Sequence, residues 1–217
     1  MFQDKKAAIF DLDGTLADSM WVWTDIDNRF FASRGIPVPD TLQQDIEGMS
    51  FTETAAYFVS EFSLPETIDE LKVIWNNMAY ESYETRIQLK PGARELLYRL
   101  HENGVLLGIA TSNSRLLAEH FLKVQGISDL FSVLSTSCEA NAGKPAPDVY
   151  LYAADALGVE PKDCLVFEDL PKGIQAGHRA GMEVCAIEDA YSAHQRQQKM
   201  DMADYFIDGF DEALKLL

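Results

Sequence analysis

An α/β fold is what this sequence predicts: a doubly wound (Rossmann-like) parallel sheet, with a helical cap domain inserted after its first strand. Three observations carry that expectation. From residue 90 onward, short apolar runs alternate with amphipathic stretches, as in parallel strands joined by right-handed crossovers with helices on both faces. Residues 17–87 interrupt this alternation with helical periodicities alone. Polar and charged residues stand just past several apolar runs, where an open parallel sheet binds its ligands.

Taken in order, "AAIF" at 7–10 reads as a buried strand that ends abruptly in Asp11 and Asp13. The stretches 20–35, 50–62 and 67–86 have helical spacing. Two of them open on capping-box patterns, Ser50 with Glu53 and Thr67 with Glu70. "PGARELLYRLHENG" follows as an amphipathic helix between Pro91 and Gly104. "VLLGIATSN" is a buried strand, and Ser114 suits the N-cap of the helix after it. "FSVLSTS", "CLVFED" and "EVCAIED" read as further strands, separated by helices at 145–158 and 170–181. "ADYFIDGF" adds a short strand before a final helix at 210–217. The expected division is therefore a core of 1–16 plus 88–217 and a helical cap of 17–87.

Composition narrows the classes of function. Of 217 residues, 47% are hydrophobic and 24% charged, ordinary for a globular chain with a substantial core. A formal net charge of −17 argues against a nucleic-acid partner, whose phosphates it would repel. No apolar run approaches the roughly 20 residues of a membrane span, and "MFQDKKAAIF" leaves no room for a signal peptide before the first strand. The three cysteines fit neither a disulfide framework nor a zinc pattern, and Cys164 and Cys185 read as buried thiols. A cytoplasmic monomer is the expectation.

The residues past the strands converge on one edge. Asp11 and Asp13 follow the first strand; Thr111, Ser112 and Asn113 close the second. Lys144 comes from the loop after the third, and Glu168 and Asp169 end the fourth. An Asp-x-Asp-Gly turn alone could be a local turn preference, and Lys144 or Glu168-Asp169 alone could be structural; their joint order has a chemical logic. With a phosphate monoester at this edge, Asp11 could attack phosphorus. Asp13 could then protonate the leaving oxygen and later deprotonate water. Each like-charge pair about 4 Å apart costs about 4 kcal/mol at an effective dielectric near 20. A Mg²⁺ ion on Asp11 and Asp169 would reverse that sign. Lys144 would add a positive charge, while Thr111 and the neighbouring N–H groups would anchor phosphate.

With these motifs in place, the chain resembles the haloacid dehalogenase superfamily of phosphotransferases. "FDLDGTLADS", "IATSN", "GKPAPDVY" and "FEDLPKGIQAGHRAGM" match its four signatures in order. The helical insertion resembles the cap of the subgroup holding β-phosphoglucomutase and sugar-phosphate phosphatases. The resemblance implies Asp11 as nucleophile, Asp13 as acid and base, and Thr111 and Lys144 as phosphate contacts. It implies metal ligation by Asp11, the Asp13 backbone carbonyl and Asp169, with Glu168 as a further candidate. The substrate implied is a small phosphorylated metabolite, such as a sugar phosphate.

The cap separates the alternatives. Related mutases carry a histidine in the first cap helix and an arginine in the cap loop; here those places hold Trp23 and Phe51. Residues 17–87 contain 4 Lys and Arg against 13 Asp and Glu, and no histidine. A mutase must grip a second phosphate, which Arg29, Arg34 or Arg86 could do only if turned inward. Hydrolysis is therefore expected, with a phosphomutase and a non-catalytic metabolite sensor as alternatives. Most cap aromatics should simply pack. Trp23 and Phe51, then Met49 and Ser50, are the candidates to touch substrate, although "EGMSFTET" also reads as a loop into a Ser50-capped helix. His101, His120, His178 and His194 lack metal spacing and are expected at the surface or in packing.

Overall fold

The computed structural model describes residues 1–217. Strand β1 (Ala7–Phe10) leads into four helices, α1 (Met20–Ala32), α2 (Leu42–Ile46), α3 (Phe51–Glu61) and α4 (Ile68–Thr85). The chain then alternates: α5 (Ala93–Glu102), β2 (Leu106–Thr111), α6 (Arg115–Val124), β3 (Phe131–Thr136), α7 (Asp148–Leu157) and β4 (Cys164–Glu168). It ends with α8 (Pro171–Arg179), β5 (Glu183–Ile187), α9 (Arg196–Met202), β6 (Tyr205–Ile207) and α10 (Phe210–Leu214). The six strands form one parallel sheet of order β3-β2-β1-β4-β5-β6. The order reverses between β1 and β4, so the crevice favoured for ligands opens beyond those two strands.

The period-two alternation of β1 sorts its side chains between two cores. Ala8 and Phe10 pack with Leu107, Ile109, Leu165 and Phe167 beneath α5, α6 and α10. Ala7 and Ile9 face the other way, toward Val149 and Ala153 of α7 and Ile174 of α8. Phe10 stacks on Phe167 across the β1–β4 pair, with ring centroids 4.6 Å apart. The first core continues without a break into α1–α4, where Phe30, Phe31, Phe58 and Trp75 interlock edge to face or tilted. Both expected capping boxes form, at Ser50/Glu53 and Thr67/Glu70.

Two helices were not expected. The α2 segment "LQQDI" is one short turn with a single buried apolar residue, too brief to show a period. The α9 segment "RQQKMDM" buries Lys199, whose Nζ donates to Ser192 Oγ at 2.9 Å, so its inward residue looks like a surface residue in sequence. Helix α7 begins at Asp148 rather than 145, with Pro147 as its N-cap, because Pro147 steers the preceding Ala146 away from helical backbone. No helix is long and apolar enough to cross a membrane. The cysteines are free, with Cys164 and Cys185 buried.

Candidate active site

The Asp11 backbone continues the sheet, its N–H donating to Phe167 O at 3.0 Å, so its carboxylate emerges where β1 and β4 end. The chain then turns sharply through Gly14 at φ +83°; a Cβ there would lie 2.3 Å from Asp169 Oδ2. Only glycine lets this turn sit against Asp169.

Lys144, buried in the loop before α7, donates to Asp11 Oδ1 at 2.6 Å and forms a second ion pair with Glu168. Glu168 is fully engaged. Its Oε1 accepts from Lys144 and from Tyr150 Oη at 2.7 Å; its Oε2 accepts the N–H groups of Asp169 (2.9 Å) and Leu170 (3.2 Å). Its place in the site is therefore the anchor of Lys144 rather than that of a free metal ligand. Burial lowers the Lys144 ammonium pKa, but Asp11 and Glu168 outweigh it, and the lysine stays above its ordinary range. Burial pushes the Asp11 carboxyl up to about 8; Lys144 opposes this, while Glu168 and Asp13 add to it. Asp169 is also pushed well up, first by burial and then by Glu168 and Asp11.

Asp169 supplies the test for a cation. Its Oδ1 accepts from Thr15 Oγ1 at 2.8 Å, whereas its Oδ2 is buried without a hydrogen-bond partner. Asp11, Glu168 and Asp169 each bring an oxygen within 4.8 Å of the others. An orphaned carboxylate oxygen in a buried acidic cluster with one lysine fits a hard divalent cation. Asp11 and Asp169 are the carboxylates free to hold it, together with the Asp13 carbonyl that the resemblance implies.

Asp13 is oriented from several sides. Its Oδ1 accepts from Ser19 Oγ at 2.6 Å and from the Tyr83 hydroxyl, and lies 3.5 Å from Trp23 Nε1; its Oδ2 accepts from Asn113 Nδ2 at 2.8 Å. Tyr83 Oη in turn accepts from Trp23 Nε1 (3.1 Å) and Asn113 Nδ2 (2.8 Å). Asn113, expected at the phosphate, thus has its amide committed to Asp13 and Tyr83. Its backbone N–H is also used, donating to Thr111 Oγ1 at 3.0 Å.

These groups form the floor of a cavity of about 380 Å³, with walls from α1–α4 and from Tyr191, His194 and Gln195. Asp11, Asp13, Thr111, Ser112, Asn113, Lys144 and Glu168 all line it, as do Trp23, Met49 and Phe51. Ser50 does not. Its hydroxyl and N–H are both used in capping α3, at 3.1 and 2.7 Å, so the helix-cap reading of that residue replaces the substrate one. His194, expected only at the surface or in packing, stands exposed at the cavity wall. The cations of residues 17–87 are engaged elsewhere: Arg29 pairs with Asp25, Arg34 with Glu66 and Lys72 with Asp69, while Arg86 lies over the Trp21 ring.

Sequence reasoning missed Tyr83, Tyr150 and the wall residues Asp27, Gln43, Glu47, Tyr191 and Gln195. Tyr83 had one signal: it continues the i, i+4 stripe Leu71, Trp75, Ala79 that α4 buries, and a buried phenol needs a partner.

The chain matches the model of the family described as "Haloacid dehalogenase-like hydrolase" over residues 8–187. It is 36% identical over 188 residues to validoxylamine A 7′-phosphate phosphatase of Streptomyces hygroscopicus subsp. limoneus, with 87% of this chain and 88% of that protein covered. It is 33% identical over 210 residues to the Drosophila melanogaster protein named "Probable pseudouridine-5′-phosphatase", with 91% and 90% covered. The crystal structure of CbbY from Rhodobacter sphaeroides in complex with phosphate superposes with a TM-score of 0.84 at 24% identity, over 96% of each chain, and so shares the fold.

Proposed function

Because the chain belongs to the haloacid dehalogenase-like hydrolase family, we propose that it hydrolyses the phosphomonoester of a small organic metabolite, a sugar phosphate or related compound, through a phosphoaspartyl enzyme and with Mg²⁺. That it is a phosphatase follows from its relatives; the substrate and the roles of residues are the proposal. The observation that carries it is Lys144 at 2.6 Å from Asp11, with Asp13 separately held by Ser19, Tyr83 and Asn113 on the same cavity floor.

In the first step an Asp11 oxygen attacks phosphorus, the ester P–O bond breaks, and Asp13 gives its proton to the departing oxygen. In the second, water attacks phosphorus, Asp13 takes its proton, and the bond to Asp11 breaks, releasing inorganic phosphate. Lys144 steadies Asp11 and sets a positive charge beside the phosphoryl oxygens, and the Thr111–Ser112 turn at the N-terminus of α6 receives them. Bound between Asp11 and Asp169, Mg²⁺ would supply the charge that lets a phosphate dianion approach these carboxylates.

The helices of 17–87 serve as a cap over this floor. Their linkers cross as a hydrogen-bonded pair, Asp18 N to Gln88 O at 3.0 Å and Lys90 N to Leu16 O at 2.8 Å, which suits hinges near 15–19 and 86–91. The seam is tight: Phe51 N donates to Ser112 O at 3.0 Å, and a Cβ on Gly143 would meet Gly48 O and Ser50 N, each at 2.7 Å. A mutase would need a cap cation for a second phosphate, and every arginine of 17–87 is turned to another partner.

The test is phosphate release from a panel of sugar, nucleotide and small-acid monophosphates, with Mg²⁺, with EDTA and with Asp11→Asn. Release requiring both metal and Asp11 is expected. Release that persists in Asp11→Asn would overturn the mechanism.

A further inference from the structure

Part of the cavity wall does no work in the chemistry just described. Asp27 of α1, Gln43 of α2 and Glu47 after α2 meet Tyr191, His194 and Gln195 from the segment between β5 and α9. No hydrogen bond joins this group to Asp11, Asp13 or Lys144. Gln43 Nε2 donates to Asp27 Oδ2, and Gln195 Nε2 donates to Glu47 Oε2, each at 2.9 Å. Asp27 is only 8% exposed, and its Oδ1 has no protein partner. Gln195 Oε1 and Tyr191 Oη are buried and also without partners. Two buried polar atoms left unpaired on one wall, beside a carboxylate oxygen free to accept, are costly unless a ligand completes them.

The wall is rigidly held. Ser192 Oγ donates to Asp169 O at 3.0 Å and accepts from buried Lys199 at 2.9 Å. Asp189 pairs with Lys90 at 2.8 Å and accepts the Tyr191 N–H at 2.9 Å. Residues 189–195 are thus tied directly to the Asp169 backbone, and their side chains keep a set position relative to the reacting phosphate.

The character of the wall follows from its inventory. Two carboxylates and an amide carbonyl only accept hydrogen bonds; the phenol and the exposed His194 imidazole at the wall's edge can accept or donate. Nearby Lys172 donates to Glu47 O at 2.7 Å, and Arg196 is engaged by Glu188 and Asp208, so neither lines this wall. Burial, Asp27 and Glu47 together raise the Tyr191 phenol pKa, so its proton stays on.

We propose that this wall is the leaving-group subsite, built to receive the hydroxyl donors of a polyhydroxylated alcohol that carries no second anionic group. The proposal rests on the phosphatase reading and narrows its substrate. A carboxylate or second phosphate on the leaving group would face Asp27 and Glu47 with no lysine or arginine lining the wall to offset them. A leaving group without hydroxyls would leave Tyr191 and Gln195 dry and unpaired, the situation in which a polar site discriminates strongly.

The test compares kcat/KM for three substrates: an open-chain hexitol 6-phosphate, the aldonate 6-phosphate of the same chain, and p-nitrophenyl phosphate. It is run on the wild type, Tyr191→Phe and Gln195→Leu. The hexitol phosphate is expected to exceed the aldonate phosphate by about 100-fold or more. In each variant the ratio of hexitol phosphate to p-nitrophenyl phosphate should fall about tenfold, chiefly through KM. That ratio is insensitive to partial unfolding, which removes both activities alike. An unchanged ratio, or equal use of the aldonate phosphate, with p-nitrophenyl phosphate still hydrolysed, would overturn the subsite alone. Loss of all hydrolysis in the wild type would overturn the phosphatase reading and the subsite with it.

Discussion

Replacing Tyr83 by phenylalanine removes a single oxygen, and the structure shows what that oxygen does. It donates to Asp13 and accepts from Trp23 Nε1 at 3.1 Å and Asn113 Nδ2 at 2.8 Å. Asp13 would keep Ser19 at 2.6 Å and Asn113 at 2.8 Å, but lose the contact that reaches it from α4. A hydrogen bond to a charged group is worth about 1.5–3 kcal/mol, which corresponds to roughly 10- to 150-fold in any step that depends on it. On the proposed mechanism, in which Asp13 gives the proton, Tyr83 is a positioning residue for it. Its effect on kcat/KM should therefore follow the need for that proton. For an alkyl phosphate, whose alkoxide must be protonated as it leaves, kcat/KM should drop by roughly 10- to 100-fold. For p-nitrophenyl phosphate, whose phenolate leaves unaided, it should change by no more than about threefold, because kcat/KM covers only steps up to loss of the leaving group. Stability should fall by about 1–3 kcal/mol, since Trp23 and Asn113 each lose an acceptor. Equal losses on the two substrates would show that Tyr83 merely holds the fold, and would refute the reasoning.

Two further outcomes are expected. Magnesium should raise the melting temperature, by about 2.7 kcal/mol of stability at roughly 100 times its dissociation constant, and Asp169→Asn should abolish that rise; a mutant that still responds would place the cation elsewhere. Asp27, pushed up to about 6 by burial with Gln43 opposing, has a folded pKa above its ordinary 3.8. Its contribution to stability is fully present below about pH 4 and lost as pH rises through 6. At pH 8 the buried charge therefore costs up to about 3 kcal/mol, and Asp27→Asn should raise the melting temperature at pH 8 but not at pH 4. A gain of the same size at both pH values would exclude ionisation as the cause.

The fold was legible wherever one residue's environment is set by its near neighbours in sequence. The capping boxes at Ser50 and Thr67 and the Ser114 cap are satisfied within a single turn, so their pattern is local. Asp11, Thr111, Lys144 and Asp169 are conspicuous because each stands at, or one loop beyond, the end of an apolar strand, and parallel topology brings such ends together. Asn113 lines the cavity as expected, but the partners of its amide were not legible, for the opposite reason. Its amide could serve a phosphate or a carboxylate, and the choice depends on Tyr83, thirty residues away on another element. Ser50 resolved to its local role because one hydroxyl cannot both cap α3 and face the cavity.

The wall residues were hidden for a stronger physical reason. Gln195 and Glu47 are 148 positions apart, and neither is unusual where it stands in the chain. Their significance arises only when the 189–195 segment, pinned through Ser192 to Asp169, meets the loop after α2. The same pinning links the two ends of the cavity. The Asp169 carboxylate faces the acidic cluster that calls for a cation, while its backbone carbonyl fixes the segment bearing acceptors that call for hydroxyl donors. One end of the cavity suits a dianion accompanied by metal, and the other end repels anions. On the proposed reading, a substrate satisfying both ends must carry its charge on one phosphate, and this asymmetry would orient it with the phosphorus toward Asp11.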